Sequence, residues 1–195
     1  VDLVVAALGG GSTVELRTGA SADPLGGTIT LSAGVNLDYN GVGDATLSLF
    51  ADRRIVIDGQ IFDSVAGGDS LNLNLTADND LNGTGNILIN NTISLGGGDF
   101  VVLRAIDFTT SAAIDTQGGD FIVTLASTSG RSTLGANIDT AGGDIIFNSD
   151  VILAADLSLT GANVTFARKV DSDGTARSLD VNLAGAGAAR LFGKV

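Results

Sequence analysis

The chain has 195 residues, a formal net charge of −12 and 44% hydrophobic residues, so it holds enough apolar material to fold as one well-buried domain. It contains no Cys, His, Met or Trp, which excludes thiol and imidazole catalysis and thiolate-metal sites within the chain. Of its 22 acidic residues all but Glu15 are Asp, and Asp favours turns and caps over helix interiors. The composition therefore indicates a fold that is not helical.

Membranes and nucleic acids are disfavoured as partners. No apolar stretch approaches the roughly 20 residues that a membrane-spanning helix needs, and no cationic segment followed by an apolar run opens the chain. The excess of negative charge repels phosphate backbones, and the ten Lys and Arg residues are scattered. Because the chain lacks even an initiator Met, we expect it to be a segment of a longer precursor or a processed product.

An internal repeat organises the chain. The residues Ile-Asp-Thr-Gln-Gly-Gly-Asp-Phe-Ile at 114–122 recur as Ile-Asp-Thr-Ala-Gly-Gly-Asp-Ile-Ile at 138–146, and a looser copy spans 93–100. Extending this register predicts equivalent strands that begin at Ile29, Leu47, Leu71, Phe100, Phe121, Ile145 and Val164. A short polar residue suited to a corner precedes each of them: Thr28, Thr46, Ser70, Asp99, Asp120, Asp144 and Asn163.

Taken in chain order, each repeat unit contains three short strands with alternating apolar residues. In one unit the strands cover 47–50, 54–57 and 60–62, and the unit that begins at Ile145 has the same arrangement. Units of about 20–24 residues with inward aliphatic side chains and glycine corners are typical of a parallel β-helix, in which each coil hydrogen-bonds to the next. We predict an all-β fold, with a single β-helical repeat domain over 1–195. A β-sandwich is the alternative.

The corner Gly-Gly-Asp, followed by Phe-Ile-Val-Thr-Leu at 121–125 or Ile-Ile-Phe-Asn at 145–148, resembles the repeat regions of filamentous-haemagglutinin-like large exoproteins. The Ile-Asp-Thr of the third strand adds to the resemblance, which covers residues 28–166. Such proteins are very long, secreted bacterial proteins with right-handed β-helical shafts that serve adhesion, biofilm formation or contact-dependent functions. The Asn-Pro-Asn-Gly motif of the family's secretion domain has no counterpart here. The resemblance therefore implies a right-handed shaft segment that is extracellular or on the bacterial cell surface.

The corner acids Asp99, Asp120 and Asp144 are predicted to stack about 5 Å apart, close to the separation of paired carboxylates in retaining glycosidases. The same column also contains Thr, Ser and Asn, which can cap a turn but have no acid chemistry, so turn capping is the favoured interpretation. We therefore predict a protein without enzymatic activity. A carbohydrate-active β-helix, such as a lyase, a hydrolase or a tailspike-like protein, is the alternative, with Arg53, Arg54 and Arg104 as the only partners for an acidic cluster.

Calcium is the one cofactor for which the sequence offers candidate ligands, since hard cations take carboxylate oxygens. The candidates are two pairs, Asp78 with Asp80 and Asp171 with Asp173. The sequence Asp-Ser-Asp-Gly at 171–174 is similar to the start of a calcium loop, but the later ligands and the closing Glu of an EF-hand are missing. Solvated loops that bind no metal are the favoured alternative.

The outward position of the repeated strand turns apolar in the middle coils. Val101, Ile122 and Ile146, with Leu103 beside them, predict an association patch of roughly 300 Å². The sequence leaves three alternatives for what packs on this patch: a neighbouring rod, the tail of this chain over 181–191, or sequence outside the chain. Uncapped terminal coils would also expose strand edges that can pair with another chain. We therefore expect self-association, either lateral or end to end.

These observations predict a structural or adhesive rod segment of a secreted bacterial surface protein. Its stability would come from stacked inward aliphatic side chains, and the absence of Cys does not oppose secretion. Self-assembly into filaments and binding to cell-surface or matrix glycans or proteins are the expected interactions.

Overall fold

The computed structural model describes residues 1–19, 27–65 and 68–193. In this part of the chain a short helix, α1 (Asp2–Leu8), precedes 22 strands that form three parallel sheets. Successive strands belong to the first, second and third sheet in turn, so each coil contributes one strand to each sheet. The prediction of a parallel β-helix with three strands per coil is confirmed.

The first sheet consists of β1 (Thr13–Arg17), β4 (Ala45–Ala51), β7 (Leu71–Ala77), β10 (Phe100–Arg104), β13 (Phe121–Val123), β16 (Ile145–Phe147), β19 (Val164–Phe166) and β22 (Ala189–Leu191). The second sheet consists of β2 (Thr28–Leu31), β5 (Arg54–Ile57), β8 (Asn86–Ile89), β11 (Asp107–Thr110), β14 (Arg131–Leu134), β17 (Asp150–Leu153) and β20 (Val170–Ser172). The third sheet consists of β3 (Leu37–Tyr39), β6 (Ile61–Asp63), β9 (Ile93–Ser94), β12 (Ile114–Asp115), β15 (Ile138–Asp139), β18 (Leu157–Gly161) and β21 (Leu179–Leu183).

Backbone pairing defines a column of equivalent inward residues in the first sheet. The column is Val14, Leu47, Leu73, Phe100, Phe121, Ile145, Val164 and Ala189. The steps along it range from 19 to 33 residues, a wider range than predicted. At about 4.8 Å per coil, eight strands make a stack of roughly 35 Å.

Two of the predicted strand starts are wrong in register. Ile29 lies in β2 of the second sheet, and the strand of the first sheet in that coil is β1. Leu73, rather than Leu71, is the partner of Leu47. The four later starts form the predicted column. Both errors preserve the inward and outward alternation, which is why the alternation could not reveal them.

Inward residues of all three sheets form one continuous apolar core. Phenylalanines stack along the first sheet: the rings of Phe100 and Phe121 lie 5.1 Å apart and within 8° of parallel, and those of Phe147 and Phe166 lie 5.6 Å apart and within 4°. Phe108, from the second sheet, packs edge-on against Phe100 and Phe121. Aromatic pairs of this kind contribute about 0.5–1.5 kcal/mol beyond the area that they bury, so they reinforce the contacts between neighbouring coils.

Helix α1 departs from the expectation of a chain without helices. Its sequence, Asp-Leu-Val-Val-Ala-Ala-Leu, includes the good helix formers Ala and Leu, and Gly9 follows it as the C-cap residue. Leu8 is fully buried, and Val4 and Val5 pack against the core, with β1 and β3 as neighbours of the helix. The helix therefore covers apolar residues of the first coil. None of the described segments forms a helix that is long and apolar enough to cross a membrane.

Candidate functional site

The turns that lead into the strands of the first sheet are stabilised by side chains that hydrogen-bond to the neighbouring coil. We refer to these turns as the corner before the first sheet. In each bridge the Oδ1 atom of an Asp or Asn accepts the backbone N–H of the equivalent residue one coil later. These bridges, at 2.8 to 3.0 Å, run from Asn72 to Asp99, from Asp99 to Asp120, from Asp120 to Asp144 and from Asn163 to Ala188. Asp144 also accepts the side-chain amide of Asn163 at 2.7 Å. We call the five side chains at positions 72, 99, 120, 144 and 163 the corner ladder.

The corner ladder has the capping role predicted for this column, with two corrections. Thr28 begins β2 of the second sheet and therefore lies outside the column. Asn72, and not Ser70, is the member in its coil, because Leu73 pairs with Phe100. Ser70 instead donates its hydroxyl to Asp44 at 2.9 Å. A short Asp or Asn side chain can reach the next coil because neighbouring strands lie only about 4.8 Å apart.

The same type of bridge recurs at the other two corners. Before the second sheet, Asp107 and Asp150 accept the N–H groups of Arg131 and Lys169 at 3.0 and 3.3 Å. Before the third sheet, bridges of 2.8 to 3.1 Å run from Asn36 to Gln60, from Asn137 to Ser158 and from Asp156 to Ser178. These bridges lie at exposed corners, where a hydrogen bond of this kind contributes about 0.5–1.5 kcal/mol to stability. The Asp-rich composition of the chain follows from this use of short acceptors.

The geometry of the corner ladder suits it to joining coils. Asp99, Asp120 and Asp144 lie one coil apart, about 4.8 Å, which is close to the spacing of a retaining pair of carboxylates. However, the Oδ1 atom of each carboxylate is committed to a hydrogen bond with the next coil. A general acid must take up and release a proton, and protonation would weaken these charge-assisted bonds. Catalysis and coil stacking would therefore compete for the same atoms.

The Gly-Gly-Asp motif has a steric origin that the sequence alone does not reveal. A Cβ atom at the second glycine would lie 2.1 to 2.2 Å from a backbone oxygen of the previous coil, with Gly98 against Leu71, Gly119 against Gly98 and Gly143 against Gly119. Glycine is the one residue that permits this approach. The hydroxyls of Thr116 and Thr140 stabilise the same corner, because they donate hydrogen bonds to the carbonyl oxygens of Gly119 and Gly143.

The first pair of predicted calcium ligands lies in the loop after β7. Asp78 is fully buried, and its Oδ2 atom forms an ion pair with Arg104 at 2.8 Å. Its Oδ1 atom accepts the N–H of Gly83 at 2.6 Å. Asp80 accepts the side-chain amide of Asn82, also at 2.6 Å. The sequence reasoning missed the Asp78–Arg104 pair, because its partners are 26 residues apart and no local pattern connects them.

The second pair of predicted ligands lies in and just after β20. Asp171 pairs with Lys169, and Asp173 pairs with Arg177 at 2.7 Å. The hydrogen bond from Lys169 lowers the pKa of Asp171, and the hydrogen bond from Arg177 lowers the pKa of Asp173. Among the described residues no three acidic side chains come together in a way that could hold a metal ion. Calcium binding in these two loops stays a prediction.

A group of acids that the sequence reasoning did not single out lies near β3 and β6. The Oδ1 atom of Asp38 and the Oδ2 atom of Asp63 are buried and have no hydrogen-bond partner in the described part of the chain. Burial raises the pKa of Asp63, the N–H of Val65 opposes this shift, and the charges of Asp69 and Asp38 add to it. Adjacent to Asp63 in the sheet, Tyr39 is buried and its hydroxyl donates to a backbone carbonyl.

The predicted association patch lies on the outer face of the first sheet. Val101, Ile122 and Ile146 are half-buried backbone partners in adjacent strands, and Leu103 beside them is 51% exposed. The tail over 181–191 does not cover the patch, because it contributes β21 and β22 to the end of the stack. A neighbouring rod and sequence outside the chain are the two remaining alternatives for what packs on the patch.

The fold and its bridges define the chain as a parallel β-helical repeat protein. Comparisons with protein-family models, curated proteins and solved structures find no match for the chain. The resemblance to filamentous-haemagglutinin-like exoproteins therefore rests on the corner motif and the repeat alone.

Proposed function

We propose that this chain is a non-catalytic rod segment of a secreted bacterial surface protein. The observation that carries the proposal is the recurring bridge between coils, in which Asp and Asn side chains at all three corners bond to the next coil. A bond that recurs from coil to coil serves the whole stack, whereas a catalytic group is needed at one place. The acidic residues at the corners thus support a mechanical role.

The arrangement of hydrogen bonds also supports this role. The strands of neighbouring coils pair in parallel in three sheets, so the bonds between coils lie along the axis of the stack. Each coil touches only its neighbours, and stability therefore accumulates along the stack. A force along the axis is shared by the hydrogen bonds of all three sheets and by the corner bridges. This sharing supports a role as a stiff spacer.

An adhesive role at the bacterial surface is the finer part of the proposal. Its support is the resemblance of the repeats at 93–100, 114–122 and 138–146 to the shafts of large exoproteins. The shaft would hold adhesive parts away from the cell, and surface or matrix glycans and proteins would be its partners.

The alternative of a carbohydrate-active β-helix requires an exposed groove in which acids meet Arg side chains. Arg104 is held by the buried carboxylate of Asp78 in a pair that fixes the loop after β7. Arg53 and Arg54 are exposed and form no ion pair among the described residues. These positions favour the rod over the enzyme.

Removal of one complete coil tests the rod. Residues 121–144 span one turn of the stack, so their deletion joins Asp120 to Ile145 in register. We expect the shortened chain to keep its β-type circular dichroism and to unfold cooperatively. Deletion of 121–132, about half a coil, is the control that breaks the register and should abolish folding. Equal damage from both deletions would contradict a modular rod.

A depolymerisation assay separates the rod from the enzyme. The chain is incubated with a panel of bacterial and plant polysaccharides, and new reducing ends and unsaturated sugar products are measured. The proposal predicts no release above that of the buffer. Release that disappears in the Asp120→Asn variant would overturn the rod and support the carbohydrate-active alternative.

A further inference from the structure

The cations that are scattered along the sequence lie together in the fold. Seven of the ten Lys and Arg residues lie where strands of the first sheet lead into strands of the second, an edge that we call the basic corner: Arg17, Arg53, Arg54, Arg104, Arg131, Arg168 and Lys169. Five acids of the described part of the chain also lie there: Asp52, Asp78, Asp80, Asp107 and Asp150. The basic corner therefore has a net charge of +2 in the described residues, although the whole chain carries −12.

The corner before the first sheet has the opposite character. From the last residue of each third-sheet strand onward it contains eight acids: Asp44, Asp63, Asp69, Asp99, Asp115, Asp120, Asp139 and Asp144. Its described residues include no Lys or Arg. In the corner ladder the Oδ1 atoms of Asp99, Asp120 and Asp144 accept hydrogen bonds from the stack, whereas their Oδ2 atoms form none within the described residues. One carboxylate oxygen in each of these coils is therefore left for a partner.

The association patch lies between these two corners, on the outer face of the first sheet. Val101, Ile122 and Ile146 occupy the same outward position in three consecutive coils, each two residues after an acid of the corner ladder. On the second sheet the equivalent column has at most two consecutive apolar residues, Val56 and Leu88. Among the described strands, the first sheet thus has the longest apolar run on its outer face.

Leu103 makes this face protrude. Backbone pairing between β7 and β10 resumes at Arg104 after Val102, so Leu103 has no partner in β7. An extra residue of this kind is a β-bulge, which changes the direction of a side chain. Leu103 is 51% exposed, and burial of its apolar surface against a partner is favourable.

The face is large enough for a contact between two copies. Its eight strands stack to roughly 35 Å, and about five residues of extended strand span roughly 17 Å. Two such faces packed together would bury roughly 600 Å² on each copy, or about 1,200 Å² in total, which is at the lower limit for stable protein–protein interfaces. A second copy therefore supplies enough area by itself.

The charges select one of the two symmetric ways to pair these faces. Strands of the first sheet run from the acidic corner to the basic corner. When the two stacks point the same way, about a twofold axis along the stack, the acidic corner of each copy faces the basic corner of the other. When they point in opposite directions, acid faces acid, which is unfavourable. At an ionic strength of about 0.15 M the Debye length is about 8 Å, so the overall repulsion is screened and the charges across the contact decide the orientation.

We propose that two copies pair side by side through the outer faces of their first sheets, with parallel stacks and with Ile122 of each copy near the twofold axis. The association patch fills the middle of the contact, and Arg104 of each copy lies on the side of the partner's corner ladder. The contact is isologous and closes at a dimer. This inference rests on the proposed rod function and adds to it a lateral contact between rods.

Sedimentation velocity of the full chain at about 0.15 M ionic strength tests the contact, with circular dichroism to show that each variant is folded. We expect an equilibrium between monomer and dimer, with no larger species. Ile122→Asp and the more exposed Leu103→Asp place a carboxylate in the contact and should each weaken dimerisation about tenfold or more. Ile152→Asp is the matched control, since Ile152 is a half-buried outward residue of the second sheet. It should dimerise like the unchanged chain.

Cross-linking tests the orientation, because a chain without Cys reports one introduced thiol at a time. Asn74 and Thr165 occupy the outward position two coils to either side of Ile122. Parallel pairing brings each of them opposite its own counterpart. Asn74→Cys alone and Thr165→Cys alone should therefore each give covalent dimers with a bismaleimide that reaches about 10 Å, the distance between packed sheets.

Three results would overturn the proposal. Cross-links between the two Cys variants in a mixture, with none in either variant alone, would show antiparallel pairing. Loss of dimerisation in Ile152→Asp but not in Ile122→Asp would place the contact on the second sheet. A chain that stays monomeric at all concentrations would exclude the pairing, and if that chain still tolerates deletion of 121–144, the rod function stands without it.

Discussion

The Oδ1 atom of Asp120 accepts the backbone N–H of Asp144 one coil later, at 2.8 Å, while the N–H of Asp120 donates to Asp99 one coil earlier at the same distance. One residue thus connects three consecutive coils. Repetition of this relationship along the stack accounts for a chain whose acids are almost all Asp and whose turns repeat Gly-Gly-Asp.

The two glycines of this motif should differ sharply in their tolerance of a side chain. In Gly143→Ala the new Cβ would lie 2.1 Å from the carbonyl oxygen of Gly119, so we expect unfolding to become easier by at least about 2–3 kcal/mol. In Gly142→Ala the Cβ meets no atom within 4 Å, and stability should change by less than about 1 kcal/mol. Urea denaturation of both variants gives the comparison. Similar losses would show that glycine flexibility, and not the approach of the coils, explains the motif.

Phe121 should be among the most sensitive core positions. Its ring is fully buried and contacts Phe100, Phe108 and Phe147. Phe121→Ala should lower the free energy of unfolding by about 3–5 kcal/mol. Ile122→Ala, on the outer face of the same strand, is the control and should cost less because Ile122 is only half-buried. A loss below about 1 kcal/mol for Phe121→Ala would be inconsistent with this register.

Asp63 should give the protein an unusual dependence on pH. Burial raises its pKa above the value in the unfolded chain, so the folded state holds the proton more tightly. The ionised carboxylate therefore costs stability above the raised pKa, and this cost is relieved as the pH falls through that value. Asp63→Asn removes this charge and should therefore raise the free energy of unfolding at neutral pH.

The measurement for Asp63 is a series of urea melts between neutral and acidic pH. The gain in Asp63→Asn should shrink as the pH falls, because the native carboxyl then becomes neutral as well. Asp2→Asn, in an exposed position, controls for the change in net charge. A variant that is less stable than the unchanged chain at neutral pH would show that the carboxylate is paired.

The Asp78–Arg104 pair should fix the loop after β7. Arg104→Ala leaves a fully buried carboxylate without its cation, and hydrogen bonds to charged groups contribute about 1.5–3 kcal/mol. We expect a loss of this size in thermal or urea melts. In a double-mutant cycle with Asp78→Asn, the double variant should lose less than the sum of the single variants. Strict additivity would contradict a direct interaction.

The sequence was sufficient to predict the architecture, because inward apolar residues alternate in every coil. It did not fix which sheet Ile29 belongs to or whether Leu71 or Leu73 pairs with Leu47, since a shift of two residues preserves the alternation. Helix α1 escaped prediction because it is one short segment in a chain with a strand-forming composition.

The corner column was predictable as a capping position, because short polar residues occupy it in every coil before the last, in which Ala188 takes the position. The direction of its bonds was not predictable, since a carboxylate at a turn can bond to its own turn or to the next coil. The close approach at Gly119 and the pairing of Asp78 with Arg104 depend on contacts between coils. The recurring glycine marks the corner in the sequence but does not reveal the backbone approach behind it, and the Asp78–Arg104 pair leaves no periodic signal.

The most direct test of the account is a comparison of Asp120→Asn with Asp120→Ala by urea denaturation, with and without calcium. Asn keeps the acceptor oxygen and already occupies ladder positions 72 and 163, so Asp120→Asn should remain within about 0.5 kcal/mol of the unchanged chain. Asp120→Ala removes the acceptor and should cost about 1–2 kcal/mol, and calcium should alter neither result. If Asn were as damaging as Ala, or if calcium stabilised the unchanged chain but not Asp120→Asn, then the charge of Asp120 would matter rather than its bond to the next coil, and the account would be wrong.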